Sequence, residues 1–472
     1  MKKKTDLILI SPYTYFRTVP GTTPPSGIAY IASYVRSKGY NVSLLDADIS
    51  KMKNERVLDY IIQRDPILIG ISVNLFTAKS TIHLIKLIRK KLNIPIILGG
   101  PFASSSPENL LSRTTGTIGV IVGEGEIASY KILQNLELGR GIFNNLKNVC
   151  YYNNGNLIRF QDFERILDLD SLPFPAWDLL PDLKVYNMRA RKIPSIPLIT
   201  SRGCLHKCTF CSRAVFGSKM TMRSPENVIE EIDWAIKTFG VRQFDIMDDN
   251  FSANMKRTHE IFDLLLKKKR NISINIQALR ADKVDEELII KMKKTGVYRI
   301  AIGIENASKD FLRRIKKNLS LEDVVRITKL AKKHGIIIYG YFLLGLPGEN
   351  RQTMMNTIDF AKKLNPTFAN FMIVVPFPGT ELYKEVKQRG KLLIETQDGL
   401  SSTFQTGEVY FEIDDLTKED VSYCFKKVYR TFYFRLSKII EVLLSFRSTT
   451  EWIWFFKMIY FFFANRITIK RI

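Results

Sequence analysis

Short apolar runs alternate with longer amphipathic stretches over the first 138 residues. The runs are rich in Ile, Leu and Val, as buried strands are, and they cover 7–10, 42–45, 67–71, 94–98 and 118–122. The stretches repeat their apolar positions with a helical period, and they cover 27–38, 54–64, 78–92, 107–112 and 127–136. This alternation predicts an α/β fold with a doubly wound, Rossmann-like, mainly parallel sheet.

Strand-like runs return in the second half of the chain, separated by helical stretches such as 225–239 and 353–364. They cover 196–200, 243–247, 273–277, 298–302, 336–344 and 368–374. Six strands separated by helices predict a partial (β/α)6 barrel of the TIM type. The chemistry of such a barrel belongs at the C-terminal ends of its strands.

Changes in composition divide the chain into four parts. The Rossmann-like domain is predicted over 1–138, and a linker with scattered Pro and Gly but no strong periodicity over 139–195. The barrel is predicted over 196–385, and a helical C-terminal extension, rich in aromatic and basic residues, over 386–472.

Three of the five cysteines, Cys204, Cys208 and Cys211, lie within eight residues, directly after the first barrel strand. Three soft ligands on one loop suit an iron-sulfur cluster or zinc. Structural zinc needs a fourth ligand, for which His206 is the local candidate, and no second Cys or His pair follows. A purely structural role fits worse because the loop is polar. Cys150 and Cys424 stand alone and are expected to be small buried hydrophobes.

Small or polar residues follow each strand of the N-terminal half. They are Pro24, Pro25 and Gly27, then Asp46, Ser72, Asn74, Gly99, Gly100, Gly123, Glu124, Gly125 and Glu126. Ligands of doubly wound sheets bind beyond the carboxyl ends of the strands, so these turns predict a binding edge. Tight turns are the simpler explanation of the glycines. A nucleotide site is disfavoured because no Gly-x-Gly-x-x-Gly follows the first strand.

Polar residues also follow the barrel strands. They are Asp248, Asp249, Asn250, Arg280, Glu305 and the turn that begins at Gly345. Each has a simpler explanation: the aspartates suit helix caps, Glu305 an ion pair with Arg280 or Arg313, and Gly345 a turn. Their shared position at strand ends predicts one site instead.

The cysteine spacing Cys-x3-Cys-x2-Cys, with Phe210 before the third cysteine, resembles the signature of radical S-adenosylmethionine enzymes. The resemblance implies that the three cysteines hold a 4Fe-4S cluster whose fourth iron chelates S-adenosylmethionine. It further implies that residues 248–250 face the methionyl part, that Arg280 and Glu305 contact the carboxylate or ribose, and that Gly345 lets the adenine approach the backbone.

The N-terminal turns resemble the cobalamin-binding domain of one large subgroup of that family. The matching features are Pro-Pro-x-Gly-Ile-Ala-Tyr at 24–30, Gly-Gly-Pro at 99–101 and Gly-Glu-Gly-Glu at 123–126. The Asp-x-His-x-x-Gly motif that supplies a cobalt ligand in mutases is absent, and His83, the single histidine of this domain, lies mid-helix. Cobalamin is therefore expected to lack a protein histidine ligand, with Asn74 or Leu75 under its lower face.

The resemblance implies radical C-methylation of an unactivated carbon, with ring closure, oxygen insertion or rearrangement as alternatives. A non-catalytic cobalamin or redox sensor is the alternative from another class. The implied partners are a small-molecule substrate, which a basic aromatic tail makes plausible as a lipid or isoprenoid, and a reductant such as a flavodoxin or ferredoxin.

The net charge of +24, from 71 basic and 47 acidic residues, favours polyanions or anionic lipid surfaces. No nucleic-acid partner is expected because no known binding motif occurs. The N-terminal apolar run is too short for a signal peptide, and the sparse cysteines suit a reducing compartment, so a cytoplasmic location is expected.

The tail has apolar residues at helical spacing from 429 to 444 and an aromatic run over 452–463, which is too short for the roughly 20 residues of a membrane span. Residues 421–472 hold ten Lys or Arg against two Glu. The first helix is expected to pack over the open side of the barrel. Residues 448–472 are expected to contact the inner face of the membrane peripherally.

Overall fold

The computed structural model describes residues 5–14, 22–159, 164–187, 190–394 and 407–469, of which 461–469 are described as backbone only. The chain divides into two compact units. The first contains the opening strand, residues 24–185 and the segment 212–221, and the second contains residues 186–211 and the chain from 222 onward.

The first unit is a sheet flanked by helices, as the apolar pattern predicts. Its strands are β1 (Leu7–Ser11), β2 (Val42–Asp46), β3 (Leu68–Ser72), β4 (Ile96–Gly99), β5 (Gly119–Ile121), β6 (Val149–Asn153) and β7 (Asn156–Arg159). Its helices are α1 (Ser26–Ser37), α2 (Asn54–Arg64), α3 (Ala78–Lys91), α4 (Pro101–Ser105), α5 (Pro107–Arg113) and α6 (Glu126–Glu137). Two 3-10 turns, Trp177–Leu179 and Leu183–Val185, follow.

The strand order of this sheet is β2-β1-β3-β4-β5-β6-β7, and β1 to β5 are parallel. The order reverses between β1 and β3, which is the point where doubly wound sheets open a ligand crevice. The antiparallel hairpin β6–β7 pairs with β5 and lies within the segment for which the sequence predicts a linker.

The second unit is built on a six-stranded sheet. The strands of this sheet are β8 (Ser195–Leu198), β11 (Gln243–Ile246), β12 (Ser273–Leu279), β13 (Val297–Glu305), β14 (Ile337–Leu344) and β15 (Phe368–Ile373). Two small two-stranded sheets pair β9 (Ser201–Arg202) with β10 (Thr221–Met222) and β16 (Gly390–Leu392) with β17 (Phe411–Ile413). The six parallel strands stand in chain order, β8-β11-β12-β13-β14-β15, which confirms the (β/α)6 prediction.

The helices of the second unit alternate with these strands and then form the C-terminal extension. They are α7 (Pro225–Phe239), α8 (Met255–Lys267), α9 (Glu286–Lys294), α10 (Lys309–Arg314), α11 (Leu321–Lys333), α12 (Arg351–Leu364), α13 (Glu381–Arg389), α14 (Lys418–Tyr433), α15 (Leu436–Ser445) and α16 (Thr449–Ile469).

Every helix from α7 to α14 begins with a side chain that accepts a hydrogen bond from its first turn. The capping residues are Ser224, Asn254, Asp285, Ser308, Ser320, Asn350, Thr380 and Thr417. Each such cap contributes about 1 kcal/mol to helix stability. These caps fix where each helix starts, and so they fix the length of the loop between it and the preceding strand.

Helix α14 closes the free edge of the barrel sheet at β15. The hydroxyl of Tyr433 accepts a hydrogen bond from the N–H of Ala369 at 2.9 Å and donates one to its carbonyl at 2.8 Å. Tyr429 donates to the carbonyl of Phe371 at 3.2 Å. Two tyrosines thus satisfy backbone groups that an edge strand would otherwise leave unpaired. The prediction that the first tail helix packs over the open side of the barrel is confirmed for α14.

Candidate active site

The cysteine loop leaves the carboxyl end of the first barrel strand and begins at Gly203. Gly203 has φ +89°, in the left-handed region that favours glycine, and its N–H donates to Oδ2 of Asp249 at 3.1 Å. Cys204 and Cys208 are half-buried and Cys211 is exposed. The loop closes on itself where the N–H of Cys211 donates to the carbonyl of Cys208 at 3.2 Å.

A turn at residues 315–318, between α10 and α11, supports the cysteine loop. The N–H of Thr209 donates to the carbonyl of Ile315 at 3.1 Å, and Sγ of Cys208 lies 3.9 Å from the carbonyl of Lys316. Arg280 holds this turn from the other side, since its guanidinium donates to the carbonyls of Lys317 at 3.0 Å and Asn318 at 3.1 Å.

The guanidinium of Arg280 also forms two hydrogen bonds with the carboxylate of Asp282, at 3.0 and 3.1 Å. It is thus engaged with protein groups, and a contact with S-adenosylmethionine stays a prediction. The ion pair proposed for Glu305 exists, but its partner is Lys317, at 2.9 Å, rather than Arg280 or Arg313.

Two cations lie beside Cys208 and act on its ionisation. Partial burial raises the pKa of the Cys208 thiol, and the charges of Lys317 and Arg280 act to lower it. Burial by itself would lower the pKa of Lys317, but the negative charges of Glu305 and Cys208 outweigh it and hold that pKa above its ordinary value. The two cations thus oppose the effect of burial, which still holds the pKa of the Cys208 thiol above its ordinary value.

The donor set fits a cluster better than a single ion. Within the described part of the chain, no three His, Cys, Asp or Glu side chains converge as they would on one metal ion. A cubane does not require convergence, because each thiolate binds a different iron. Burial raises the pKa of the Cys211 thiol to about 11, and Cys208, Asp249 and Cys204 act in the same direction. Phe210 is half-buried on the same loop.

Asp248 is directed at the preceding strand end. Its buried carboxylate accepts hydrogen bonds from the N–H and hydroxyl of Thr200 and the hydroxyl of Ser201, each at 2.6 Å. Arg257 donates to the carbonyl of Thr200 at 2.7 Å. Neither Asp248 nor Asp249 caps a helix. These two aspartates instead hold the start of the cysteine loop, and their contact with S-adenosylmethionine stays a prediction.

Asn250, the third residue of this set, is buried and lies 3.4 Å from the hydroxyl of Ser252. That hydroxyl accepts a hydrogen bond from the N–H of Arg280 at 3.0 Å. Of the predicted site residues, Asn250 and Arg280 are therefore joined through Ser252 at the carboxyl ends of β11 and β12.

A fully buried carboxylate, Glu349, organises the turn that begins at Gly345. It accepts hydrogen bonds from the N–H groups of Gly345 at 2.9 Å and Leu346 at 2.8 Å, and from the side-chain amide of Asn306 at 2.7 Å. Gly345 has φ +86°, and a Cβ there would lie 3.3 Å from Val421 of α14. The turn is thus fixed by glycine geometry and by one carboxylate that joins it to the end of β13.

The burial of the Glu349 carboxyl group predicts that the stability of the protein depends on pH. Burial raises the pKa of this carboxyl from 4.5 to about 7. Because the folded protein then holds a proton that the unfolded chain has lost, stability falls as pH rises from 4.5 to 7, by roughly 3 kcal/mol. We expect E349Q to flatten this slope, measured as the apparent Tm over that pH range.

The control is E287Q, at a carboxylate with a 68%-exposed side chain on α9. Other buried carboxylates, such as Asp245 and Asp248, titrate equally in every variant, so the difference between wild type and E349Q isolates Glu349. An E349Q slope equal to that of wild type and E287Q would contradict the assignment.

One face of strands β14 and β15 carries several aromatic side chains, and Phe368, at the start of β15, lies 6.4 Å from Phe446 of the C-terminal extension. On β14 and β15, Ile338, Phe342 and Phe371 are buried toward the helices, while Tyr339, Tyr341, Phe368, Asn370 and Met372 alternate with them and are half-buried. Tyr339 stacks on Phe368 with ring centroids 5.7 Å apart.

In the first unit, the predicted binding residues gather at the carboxyl edge of one parallel sheet. Asp46 is buried and accepts from the N–H of Asp48 at 3.1 Å. Ser72 ends β3, and Asn74 accepts from the N–H groups of Phe76 and Thr77, which forms the turn into α3. His83 lies 3.2 Å from the amide of Asn54 on α2.

The remaining turns of this edge follow β4 and β5. A Cβ at Gly100, whose φ is +98°, would lie 3.0 Å from both Oγ of Ser72 and the carbonyl of Val73. Gly99 ends β4, and the N–H of Gly123 donates to Ser104 at 3.0 Å. Glu124 is buried and accepts from the N–H of Ile166 at 2.8 Å, whereas Glu126 is buried in the first turn of α6.

This edge fits cobalamin in two respects. Helix α1 begins after Pro24 and Pro25 without a side-chain cap, so its first N–H groups suit an anion such as the phosphate of cobalamin. A Cβ at Gly27 would meet no atom within 4 Å, whereas one at Gly125 would lie 2.6 Å from Ile31. The space beside Gly27 is therefore open, and Gly125 instead permits close packing of α6 against α1.

The structure adds four residues that sequence reasoning did not assign to the site: Lys317, Asp282, Asn306 and Arg257. Arg257, Lys317 and Asn306 act on residues distant in sequence, as when Arg257 reaches Thr200. Asp282 holds the guanidinium of Arg280, two residues before it. Sequence reasoning treated Glu349 only as part of the turn that begins at Gly345. The one local signal was that Asn306 and Asp282 follow strands, Asn306 directly after β13 and Asp282 three residues after β12.

Comparisons with known proteins agree with this geometry. The family description "Radical SAM superfamily" matches residues 198–361, and "B12 binding domain" matches residues 13–133. An uncharacterized methyltransferase from Pyrococcus horikoshii is 30% identical over 92% of this chain and 94% of its own length. An anaerobic magnesium-protoporphyrin IX monomethyl ester cyclase from Rubrivivax gelatinosus is 26% identical over 78% of this chain and 67% of its own length.

Among solved structures, the fold is similar to that of TsrM from Kitasatospora setae, a radical S-adenosylmethionine methyltransferase with cobalamin and a [4Fe-4S] cluster bound. The TM-score is 0.69 and the identity 17%, over 82% of this chain and 75% of that one.

Proposed function

This chain belongs to the radical S-adenosylmethionine enzymes with an N-terminal cobalamin-binding domain, and from this premise we propose that it methylates an unactivated carbon of its substrate. Its cofactors are a 4Fe-4S cluster, S-adenosylmethionine and cobalamin. When bound, these groups supply the electron that cleaves S-adenosylmethionine and a methyl group carried on cobalt.

The contribution of the protein is to hold and shield these groups. Cys204, Cys208 and Cys211 would hold three irons of the cluster, and the 315–318 turn keeps their loop in place. Lys317 and Arg280 provide positive charge beside Cys208. The Gly345 turn, fixed by Glu349, offers backbone to the adenine. Radical chemistry needs such a shielded site because water and other quenchers must be excluded.

One observation carries the proposal above the others. Three thiols with no fourth protein ligand among the described residues lie at the carboxyl end of the first strand of a parallel six-stranded sheet, where a barrel enzyme places its chemistry. The choice of methylation over other outcomes is supported by the 30% identical relative, which is named a methyltransferase.

Ring closure is the second candidate, and it has support of its own in the similarity to a cyclase. Oxygen insertion and rearrangement would use the same cofactors. A lipid or isoprenoid substrate is proposed from the basic, aromatic C-terminal tail. A flavodoxin or ferredoxin is the proposed reductant.

Anaerobic reconstitution with methyl-labelled S-adenosylmethionine tests the reaction. The reconstituted enzyme is incubated with an extract of lipids and metabolites from the source cells. We expect labelled methyl in an apolar product, together with both S-adenosylhomocysteine and 5′-deoxyadenosine. Ring closure would instead give 5′-deoxyadenosine without S-adenosylhomocysteine or label transfer, and that result would replace methylation with the second candidate.

The location of the protein is a separate proposal. No helix in the described part of the chain is long and apolar enough to cross a membrane. We propose peripheral contact with a membrane through residues 448–472. Helix α15 before this segment and helix α16 within it provide the observations from which the contact surface is described below.

A further inference from the structure

Helix α15 turns its polar side chains toward the protein. Lys438 is only 1% exposed, and its ammonium group donates to the carbonyl of Pro366 at 2.7 Å and to Glu441 at 2.5 Å. Glu441 also pairs with Lys332 of α11 at 2.8 Å. Burial lowers the pKa of Lys438 to about 8, although the nearby Glu441 acts to raise it. A lysine is rarely buried unless it is paired in this way.

The apolar side chains of the same helix face outward. Leu436 is 75% exposed, Leu444 63%, Ile440 48% and Ile439 44%. Phe434, directly before the helix, is 78% exposed. A surface helix of a globular protein ordinarily shows the opposite arrangement, with its apolar stripe on the core. The spacing at 436, 440 and 444 places these leucine and isoleucine side chains in one stripe.

Helix α16 continues this outward apolar surface. Ile453 is 53% exposed, Phe456 61% and Tyr460 77%. The start of the helix is anchored by Glu451, which pairs with Arg191 at 3.2 Å and accepts from the N–H of Arg447 at 2.8 Å. We name the outward residues 434, 436, 439, 440, 444, 453, 456 and 460 the C-terminal apolar face. Monomeric proteins seldom expose so many large apolar side chains on successive helices without a partner.

The acidic side chains of these two helices face the protein, whereas the basic side chains are exposed. Both of their acidic residues up to position 460, Glu441 and Glu451, are turned inward and paired. The basic residues Arg447 and Lys457 are exposed, as is Arg430 at the end of α14. The outward surface therefore combines apolar side chains with positive charge only.

We propose that the C-terminal apolar face docks onto the surface of an anionic phospholipid bilayer. An in-plane membrane helix has an apolar face with aromatic residues, flanked by Lys and Arg, and α15 with the described part of α16 has these features. Trp452 stands in the aromatic cluster at the start of α16, 5.2 Å from Phe446, and such amphipathic rings favour the headgroup region. A second copy of this chain fits worse, because two basic surfaces would repel each other.

The proposal goes beyond the proposed reaction and does not depend on it. It differs from the sequence expectation by including α15, which the sequence assigned to packing on the barrel. It also names the lipid class, since a basic rim favours phosphatidylglycerol or other anionic headgroups over phosphatidylcholine.

Sedimentation of the full-length reconstituted protein with lipid vesicles tests the proposal. We expect the protein to sediment with vesicles containing phosphatidylglycerol and to bind pure phosphatidylcholine vesicles less, with a preference that weakens as salt rises. The triple variant L436E/I440E/L444E should lower binding to anionic vesicles by at least about tenfold, since three apolar side chains no longer enter the bilayer. The variant L167E is the matched control, because Leu167 of the first unit is 78% exposed and lies outside the face.

Three outcomes would overturn the proposal. The first is equal binding by wild type and the triple variant, and the second is no vesicle binding by either. The third is a lipid-free dimer of the wild type that the triple variant abolishes, which would make the face a contact between two copies. Formation of 5′-deoxyadenosine should be unchanged in all variants, so a failed reaction and a failed membrane contact are distinguishable.

Discussion

Replacement of any one of Cys204, Cys208 and Cys211 by Ala is expected to abolish cleavage of S-adenosylmethionine. Each thiolate would ligate a different iron. With only two cysteines, two irons of the cubane lack a protein ligand, and the cluster is no longer stably bound to the loop. The three thiols lie on one loop whose backbone is tied to the 315–318 turn and to Asp249. Loss of one thiol therefore removes the cluster rather than the fold.

The measurement has two parts. Iron and sulfide content after anaerobic reconstitution reports the cluster, and 5′-deoxyadenosine formed under reducing conditions reports its activity. We expect each variant to lose the visible absorption of the cluster and to form no detectable 5′-deoxyadenosine, with an apparent Tm of the apoprotein close to that of wild type.

Cys424 provides the matched control. It is fully buried on α14, where its thiol lies 3.7 Å from the carbonyl of Arg351, and C424A removes the same atoms from a packing site. We expect that variant to lose about 1 kcal/mol of stability and to keep its cluster. Retention of both cluster and cleavage by C204A, C208A or C211A would refute the assignment of the loop.

The parts of the fold that sequence reasoning recovered are those with a local signal. A parallel strand that is buried on both faces, such as residues 68–71 of β3, produces a continuous apolar run, and the helix after it repeats its apolar positions every three to four residues. The cysteine loop was recoverable for the same reason, since its three ligands lie within eight residues.

The supporting contacts of the site have no such signal. Arg280 meets the carbonyls of 317 and 318 only because β12 and the α10–α11 turn are brought together by the fold. Glu349 meets Asn306 from the neighbouring strand end in the same way. Periodicity describes the face of a helix or strand, and it contains nothing about which loop reaches which.

Helix α15 shows what a hydrophobic pattern in the sequence cannot predict. Its apolar positions repeat at helical spacing, which predicts that the stripe packs on the barrel. The tyrosines of α14, Tyr429 and Tyr433, do pack there, but the chain turns at Phe434 and Arg435, and the stripe of α15 then faces outward. An amphipathic pattern defines which side of a helix is apolar and leaves open what that side meets.

Lys317 is the supporting residue whose removal should have the largest effect. Its side chain is 14% exposed, and it pairs with Glu305, whose side chain is 8% exposed and whose backbone has φ +67°. The space above the pair is kept free by Gly303, where a Cβ would lie 2.5 Å from the Glu305 carboxylate and 2.8 Å from the Lys317 ammonium. The same ammonium acts on the ionisation of Cys208.

We expect K317M to destabilise the protein by about 3–5 kcal/mol, because it leaves the carboxylate of Glu305 buried without its partner. It should also weaken the cluster site, since a positive charge that favours the Cys208 thiolate is lost. Loss of that charge makes addition of an electron less favourable, so the reduction potential of the cluster should fall. Thermal unfolding, iron content and a potentiometric titration followed by electron paramagnetic resonance measure the three effects.

The neighbouring lysine supplies a control that differs only in position. Lys316 pairs with Glu381 at 2.5 Å, but both side chains are about half exposed, so K316M should change stability by no more than about 0.5 kcal/mol and leave the cluster unaltered. Equal behaviour of K316M and K317M would show that the buried pair has no special role.

The double variant E305Q/K317M separates the two functions of Lys317. It removes both charges of the pair, so most of the lost stability should return, because no buried charge is left without a partner. The positive charge beside Cys208 is still absent, but so is the opposing negative charge of Glu305, so only part of the lowering of the reduction potential should persist. If stability and potential recovered together, the charge of Lys317 would have no effect on the cluster beyond that of its pair with Glu305. If the potential stayed low in a stable protein, the charge itself would tune the cluster.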